Sequence, residues 1–461
     1  FGINNNISFT NTVNSILGYT AYKLTLADGG YLFDGEVRPF RTIAKSYKVR
    51  QTDGSLKTVN FDQRVAVQGP VFDLPDNGGT IALKVAGLDR PGVLQQYLDM
   101  DKAENWDQFR AAISTVQAVM FNIVYGDRDG NILYFDNGIL PKHPNGDYDY
   151  WAGPVPGDTS ATLWTDVHSY DELPKVFNPA TGYVQNANDE PWVSTYPPAI
   201  RPADYPPYFG APKWMSMRPQ MSNRLLMGDS RMSFDEFVEK KVTTTSLMAE
   251  RMLPDLLAAA ASSRDPDIVA AVRLLRGWDQ RFEPDARGAL LFETWAGIFS
   301  PENFTVEDNY AVEWTLDDPL QTPRGLKNPA EAVAMLKEAA VRTRQLYGRL
   351  DRPYGEVSRF RLGAVDLPAN GGFGNTGVFR TITWGPLKDG TRTPLAGETW
   401  VSMVEFGTPL RAVGVMSYGN SSQPGSSHQS DQLRFLASKT FRNLWIDRKD
   451  VEANLEERQT F

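Results

Sequence analysis

At 461 residues, with 41% hydrophobic and 22% charged side chains, the chain has the composition of an ordered globular protein and the length for more than one domain. Its net charge of −9, without a basic stripe interleaved with aromatics, argues against a nucleic-acid partner. The lack of cysteine excludes disulfides, thiolate metal sites and a cysteine nucleophile. No run approaches the roughly eighteen apolar residues of a membrane span, so no membrane insertion is expected.

In chain order, FGINNNISFTNTVN has the alternation of a strand already inside a domain, with no initiator Met and no polar lead-in. Period-2 patterning over 19–26, over 46–61 around a Thr52-Asp53-Gly54 turn, and over 80–88 predicts further strands. A helix is expected over 105–116. Two apolar runs meeting across Asp127-Arg128-Asp129-Gly130 then predict a hairpin, because the turn glycine tolerates a positive φ. From 144 to 218 the chain is rich in Pro, Gly, Asp and Trp, which suggests a long ordered excursion over a surface.

The next section reads as helical. Ser233 and Glu236 form a capping box ahead of a helix continued to 261, with further helices over 267–278 and 329–347. The last hundred residues return to strands at VFRTITWG, ETWVSMVEFG and RAVGVMSYG. This pattern predicts an α+β protein in three parts: 1–230, a helical insertion over 231–350, and C-terminal strands over 351–461 that complete the sheet structure.

Chemistry is sparsely marked. The three histidines, His143, His168 and His428, lie in loop-like contexts without metal-ligand spacing, and are read as exposed or locally bonded. NGGFGNTGVF reads as turn chemistry rather than a phosphate loop. DRDG lacks the acidic positions of a calcium loop. A glycosidase-like carboxylate pair needs geometry that counting cannot supply. What stands out is amide density: Asn4, Asn5, Asn6, Asn11 and Asn14 at the start, and Gln185, Asn186 and Asn188 beside aromatics. Neutral amide donors can stabilise a developing oxyanion, although asparagine also favours turns and left-handed backbone.

Four stretches, in order, resemble the penicillin acylase family: FGINNNISFTNTVN; ENWDQFR through FNIVYGDRDGNILYFDNGILP; KVFNPATGYVQNANDEPW; and SYGNSSQPGSSHQSDQLRFL. The resemblance implies an N-terminal nucleophile hydrolase with a four-layer αββα sandwich, present here in part with a helical insertion. In that family a precursor cuts itself, a Ser becomes the first residue of the larger chain, and its α-amine acts as base, chemistry suited to a group with a pKa of about 8. Here residue 1 is Phe, and the match begins some tens of residues past the expected Ser, so the chain alone is expected to be inactive. Residue by residue, the resemblance gives Asn188 as an oxyanion donor through its side-chain amide, Val13 as the other through its backbone N–H, and Arg218 as the residue that orients the nucleophile. Phe1, Asn11, Tyr97 and Phe121 fall where the family lines its acyl cleft.

The positions at which some relatives bind a structural calcium read Leu17 and Thr20, so no metal or other cofactor is expected. By the same resemblance the partners are a smaller α-chain from the same precursor and a small acylated amide, and the location is periplasmic or secreted. The Leu17 and Thr20 departure tilts the expected substrate toward acyl-homoserine lactones or acylated lipopeptides rather than β-lactams. The rival readings are an inactive relative that binds acylated small molecules, and a sugar-cleaving sandwich.

Overall fold

A computed structural model of the chain describes residues 1–75, 78–210, 215–228, 231–301 and 309–460. Two units are present. One comprises Phe1–Ile3, Phe9–Val184 and Glu190–Ala211, the other Asn4–Ser8, Gln185–Asp189 and Pro212–Phe461.

The first unit holds two larger sheets and a three-stranded one over Leu26–Ala27, Gly30–Phe33 and Glu36–Pro39. A five-stranded sheet runs in the order Gly2–Ile3, Ile7–Thr12, Met120–Asp127, Ile132–Gly138, Lys175–Phe177. Its centre is the expected hairpin, with Phe121 opposite Asn137 and Gly130 turning at φ +89°. Successive side chains alternate between faces. Phe9 and Tyr125 therefore meet a helix pair, Val93–Lys102 and Trp106–Ile113, through Phe109 at ring distances of 5.3 and 4.3 Å. Asn105 caps the second helix by accepting from the Gln108 N–H at 3.0 Å. Asn122, Tyr134 and Asp136 lie on the opposite face.

The second sheet orders Val155–Pro156, Tyr19–Lys23, Gly79–Val85 and Val71–Leu74, and a separate two-stranded ribbon pairs Arg41–Arg50 with Leu56–Val65. The stretch over 144–218 is not a surface excursion. Trp151 and Trp192 are buried and its short strands Val155–Pro156 and Lys175–Phe177 edge both sheets, because its aromatics need a core. Residues 211–214 of that stretch lie outside the described residues.

The second unit has a helical core. Met252, Leu256, Leu275, Trp295 and Leu336 come together from helices Leu247–Ala260, Pro266–Arg276, Ala289–Phe299 and Pro329–Tyr347. The single helix expected up to residue 261 is two. Phe234–Lys241 carries the capping box, and after a β-branched Thr243-Thr244-Thr245 break Ser246 caps a new helix by accepting from the Ala249 N–H. Among the described residues the C-terminal strands pair with one another: Trp400–Glu405, Arg411–Met416 and Arg442–Asn443 form a sheet. Gly and Pro at 394, 397, 407 and 409 keep the strands short enough to pair with near neighbours.

Candidate active site

Val13 directly follows strand Ile7–Thr12, and its side chain is half exposed. Its neighbours fix it. Thr12 Oγ1 accepts from Asn122 Nδ2 at 3.1 Å, and Asn122 Oδ1 in turn accepts from the Tyr134 hydroxyl at 2.8 Å. Asn14 Nδ2 donates to Asp136 Oδ1 at 2.9 Å and to the Asn137 carbonyl at 2.8 Å. The Ser15 hydroxyl donates to Glu190 at 2.8 Å, and the Tyr148 hydroxyl donates to the Ser15 carbonyl at 2.9 Å. Backbone held this way cannot reorient when a ligand arrives, which is what a preorganised N–H donor requires.

Asp136 is buried in this network, and its pKa is raised to about 7 by burial and then by the charge of Glu190, with the Asn14 bond opposing. Asn4 spends its side chain on a turn, accepting from the N–H groups of Asn6 and Ile7, and Asn11 donates to the Asn122 carbonyl. Much of the amide density at the start of the chain is therefore structural.

Three of the acyl-cleft candidates, Asn11, Phe121 and Tyr97, share one side of the five-stranded sheet. Asn11 and Phe121 have the same strand parity as Phe9 and Tyr125, hence the same face as the helix pair. Tyr97 is half-buried on helix Val93–Lys102, one turn from Asp101. Phe1 is exposed and precedes Gly2, where any Cβ would collide with Asp101 and Phe9.

In the second unit, Asn188 is the exposed tip of a five-residue loop whose hub is Asp189. The buried Asp189 carboxylate accepts from the Ala187 N–H at 2.8 Å and from Gln185 Nε2 at 3.2 Å, and burial raises its pKa to about 6. Asn186 closes the loop by accepting from the Asn188 N–H at 2.9 Å and donating to the Asp189 carbonyl. Asn188 sits at φ +68°, a left-handed conformation that asparagine tolerates better than most residues.

Arg218, in the first turn of helix Met217–Leu226, donates from Nη2 to Asn188 Oδ1 at 3.0 Å. Guanidinium has donors only, so Oδ1 must face it and the amide nitrogen takes the other end. Burial lowers the Arg218 pKa, while Asp189 and Glu398 favour its charged form. Gly374 makes room for it: an added Cβ would lie 3.0 Å from Arg218 Cδ and 3.1 Å from Nε. The resemblance gave Asn188 and Arg218 separate roles, and the structure joins them. Asp189 and Gly374 were missed, although both stand inside motifs already singled out.

The two positions compared with a calcium site are Leu17 and Thr20. Leu17 is apolar, and Thr20 is buried with its hydroxyl accepting from Trp164 Nε1 at 3.0 Å. Among the described residues no group of three or more His, Asp or Glu side chains is arranged to hold a metal. The reading of the histidines is corrected at two of the three. His168 is buried, with Nε2 3.0 Å from the Tyr208 hydroxyl. His143 is 7% exposed and stacked on Trp151 at 3.7 Å, and neither ring nitrogen has a hydrogen-bond partner among the described residues.

Comparison with known proteins follows the same lines. The acyl-homoserine lactone acylase PvdQ of Pseudomonas fluorescens is 23% identical over 98% of this chain and 62% of its own length. The aculeacin-A acylase of Actinoplanes utahensis is 25% identical over the same shares. The chain thus spans 62% of the length of these curated relatives. Among solved structures, a thermostable penicillin G acylase from Alcaligenes faecalis superposes with a TM-score of 0.68 at 19% identity, covering 100% of this chain and 89% of that one, so the α+β fold is that of an N-terminal nucleophile hydrolase. The profile of penicillin amidases matches residues 1–453, and the chain belongs to that family.

Proposed function

We propose that these residues are the larger-subunit part of an N-acyl amide hydrolase that works through an acyl-enzyme, with the nucleophile supplied from outside them. The observation that carries this reading is the Arg218 to Asn188 bond, which sets the amide so that its N–H donors face away from the guanidinium. A substrate carbonyl oxygen accepting from Asn188 Nδ2 gains charge as the nucleophile adds, and the donor then binds it more strongly than in the ground state; the family resemblance gives the Val13 N–H the same kind of role. Arg218 holds the amide and lends positive charge behind it. Phe1, Asn11, Tyr97 and Phe121 take the acyl group. The relatives named above support acyl-homoserine lactones and acylated lipopeptides as the first substrates to try. The reading carries with it an α-chain from the same precursor, no cofactor, and export from the cytoplasm.

In the complete protein, Asn188→Ala should lower kcat on N-acyl substrates by a factor of about 10² to 10³ with circular dichroism unchanged, because a donor and no core volume is removed, while the left-handed backbone costs Ala about 1 kcal/mol and lowers Tm slightly. Unaltered hydrolysis would sink the assignment.

A further inference from the structure

The ribbon of Arg41–Arg50 and Leu56–Val65 has no place in the chemistry above. Its ten cross-strand pairs run from Arg41 opposite Val65 to Arg50 opposite Leu56. Directly paired residues share a face, so one face collects Ile43, Tyr47, Val49, Val59, Phe61 and Val65, while the other carries Thr42, Ser46, Thr58, Asn60 and Asp62. The apolar face is open: Tyr47 is 52% exposed, Phe61 43% and Val49 37%. Tyr47 and Phe61 pack edge to face at 5.8 Å, and the base is tied down by Arg64 on Asp73 and Gln63 on the Val71 carbonyl. A lone two-stranded ribbon with one apolar side is marginal in water, and such a side is stable when something covers it.

We infer that the apolar face of this ribbon docks against polypeptide of the same precursor lying outside these 461 residues. This rests on the acylase reading only for the existence of that polypeptide. The relatives are longer, the chain covering 62% of them, so such a segment has the means to be present. Size decides against a free-standing association. Ten residue pairs give a strip about 34 Å long and about 10 Å wide, well under the roughly 800 Å² per partner of a stable independent interface. The ribbon is therefore one arm of a larger contact, made with a chain synthesised alongside it, rather than the seat of a second copy. Charge specifies the occupant further. Within 41–65 there are six Lys and Arg against two Asp, in a chain of net charge −9, and on the apolar face itself Arg41 stands opposite Val65, Lys45 opposite Phe61 and Lys57 opposite Val49. The covering segment should present an apolar strip carrying acidic residues.

The test places a photo-crosslinker in the complete gene product, as Phe61→p-benzoylphenylalanine, with Asn60→p-benzoylphenylalanine on the polar face as control. Mass spectrometry of irradiated protein should find position 61, and not position 60, joined to precursor sequence outside 1–461. Joining to residues within 1–461 of a second copy, to an unrelated protein, or to nothing overturns the proposal. In a companion variant, Tyr47→Lys with Phe61→Lys should reduce the co-purifying second chain by about tenfold, with amide exchange confirming that the ladder remains formed. Retention of that chain at its normal level also overturns it. Neither readout uses hydrolysis, so failure of the acylase reading registers separately.

Discussion

His143 carries a cost that depends on pH. Burial, and then the charge of neighbouring His168, push its pKa down to about 4, so the folded protein keeps it neutral while the unfolded chain, near 6.5, takes up a proton first. Stability is intact above about 6.5 and falls as pH drops from there towards 4. Asp136 works in the opposite sense: its raised value of about 7 gives a contribution present below about 4 that is lost as pH climbs through 7. His143→Phe keeps the stack on Trp151 and forfeits no hydrogen bond, so it should raise Tm at pH 5 more than at pH 8. Thermal melts at the two pH values decide, and an equal shift at both would show that the ring is not being held neutral.

At the scale of elements, short turns do as much for the site as helices and strands. The turn over Gly374–Thr376 leaves room for the Arg218 side chain. Gly374→Ala should push Arg218 off Asn188 and lower kcat by about ten- to a hundredfold with the fold retained, as small displacements of a positioning group do. Combined with Arg218→Lys the losses should fall short of additive; full additivity would separate the two residues. A second test is local: Ser233→Ala removes the capping box and should cost about 1 kcal/mol in a denaturant titration, without touching activity. Elements with strong local punctuation were legible beforehand, among them the hairpin at Asp127–Gly130, the helix following Glu104 and the Pro329–Tyr347 helix. Helix Ala289–Phe299 was not, because it is apolar nearly all round and shows no period. Helix Val93–Lys102 was hidden by a buried Gln96, which looks like a surface residue until its oxygen is seen accepting from the Gln117 and Ala118 N–H groups.

Over the whole molecule, sequence reading named candidate residues but not their connections. Asn188 and Val13 came from ordered motifs, and Arg218 from a match outside them. That Arg218 grips the Asn188 amide, or that Asn14 and Ser15 pin the backbone beside Val13, depends on long-range contacts that no spacing encodes. The partition of the chain has a practical consequence. The five residues Gln185–Asp189 are encoded within the first unit's stretch yet are counted with the second, as are Asn4–Ser8. A gene split after residue 211 would hand the second product Arg218 without its Asn188, and the first product the reverse. Such halves, made separately, should each show the broad melts and dye binding of incompletely packed proteins; sharp, independent transitions would prove the borrowing dispensable.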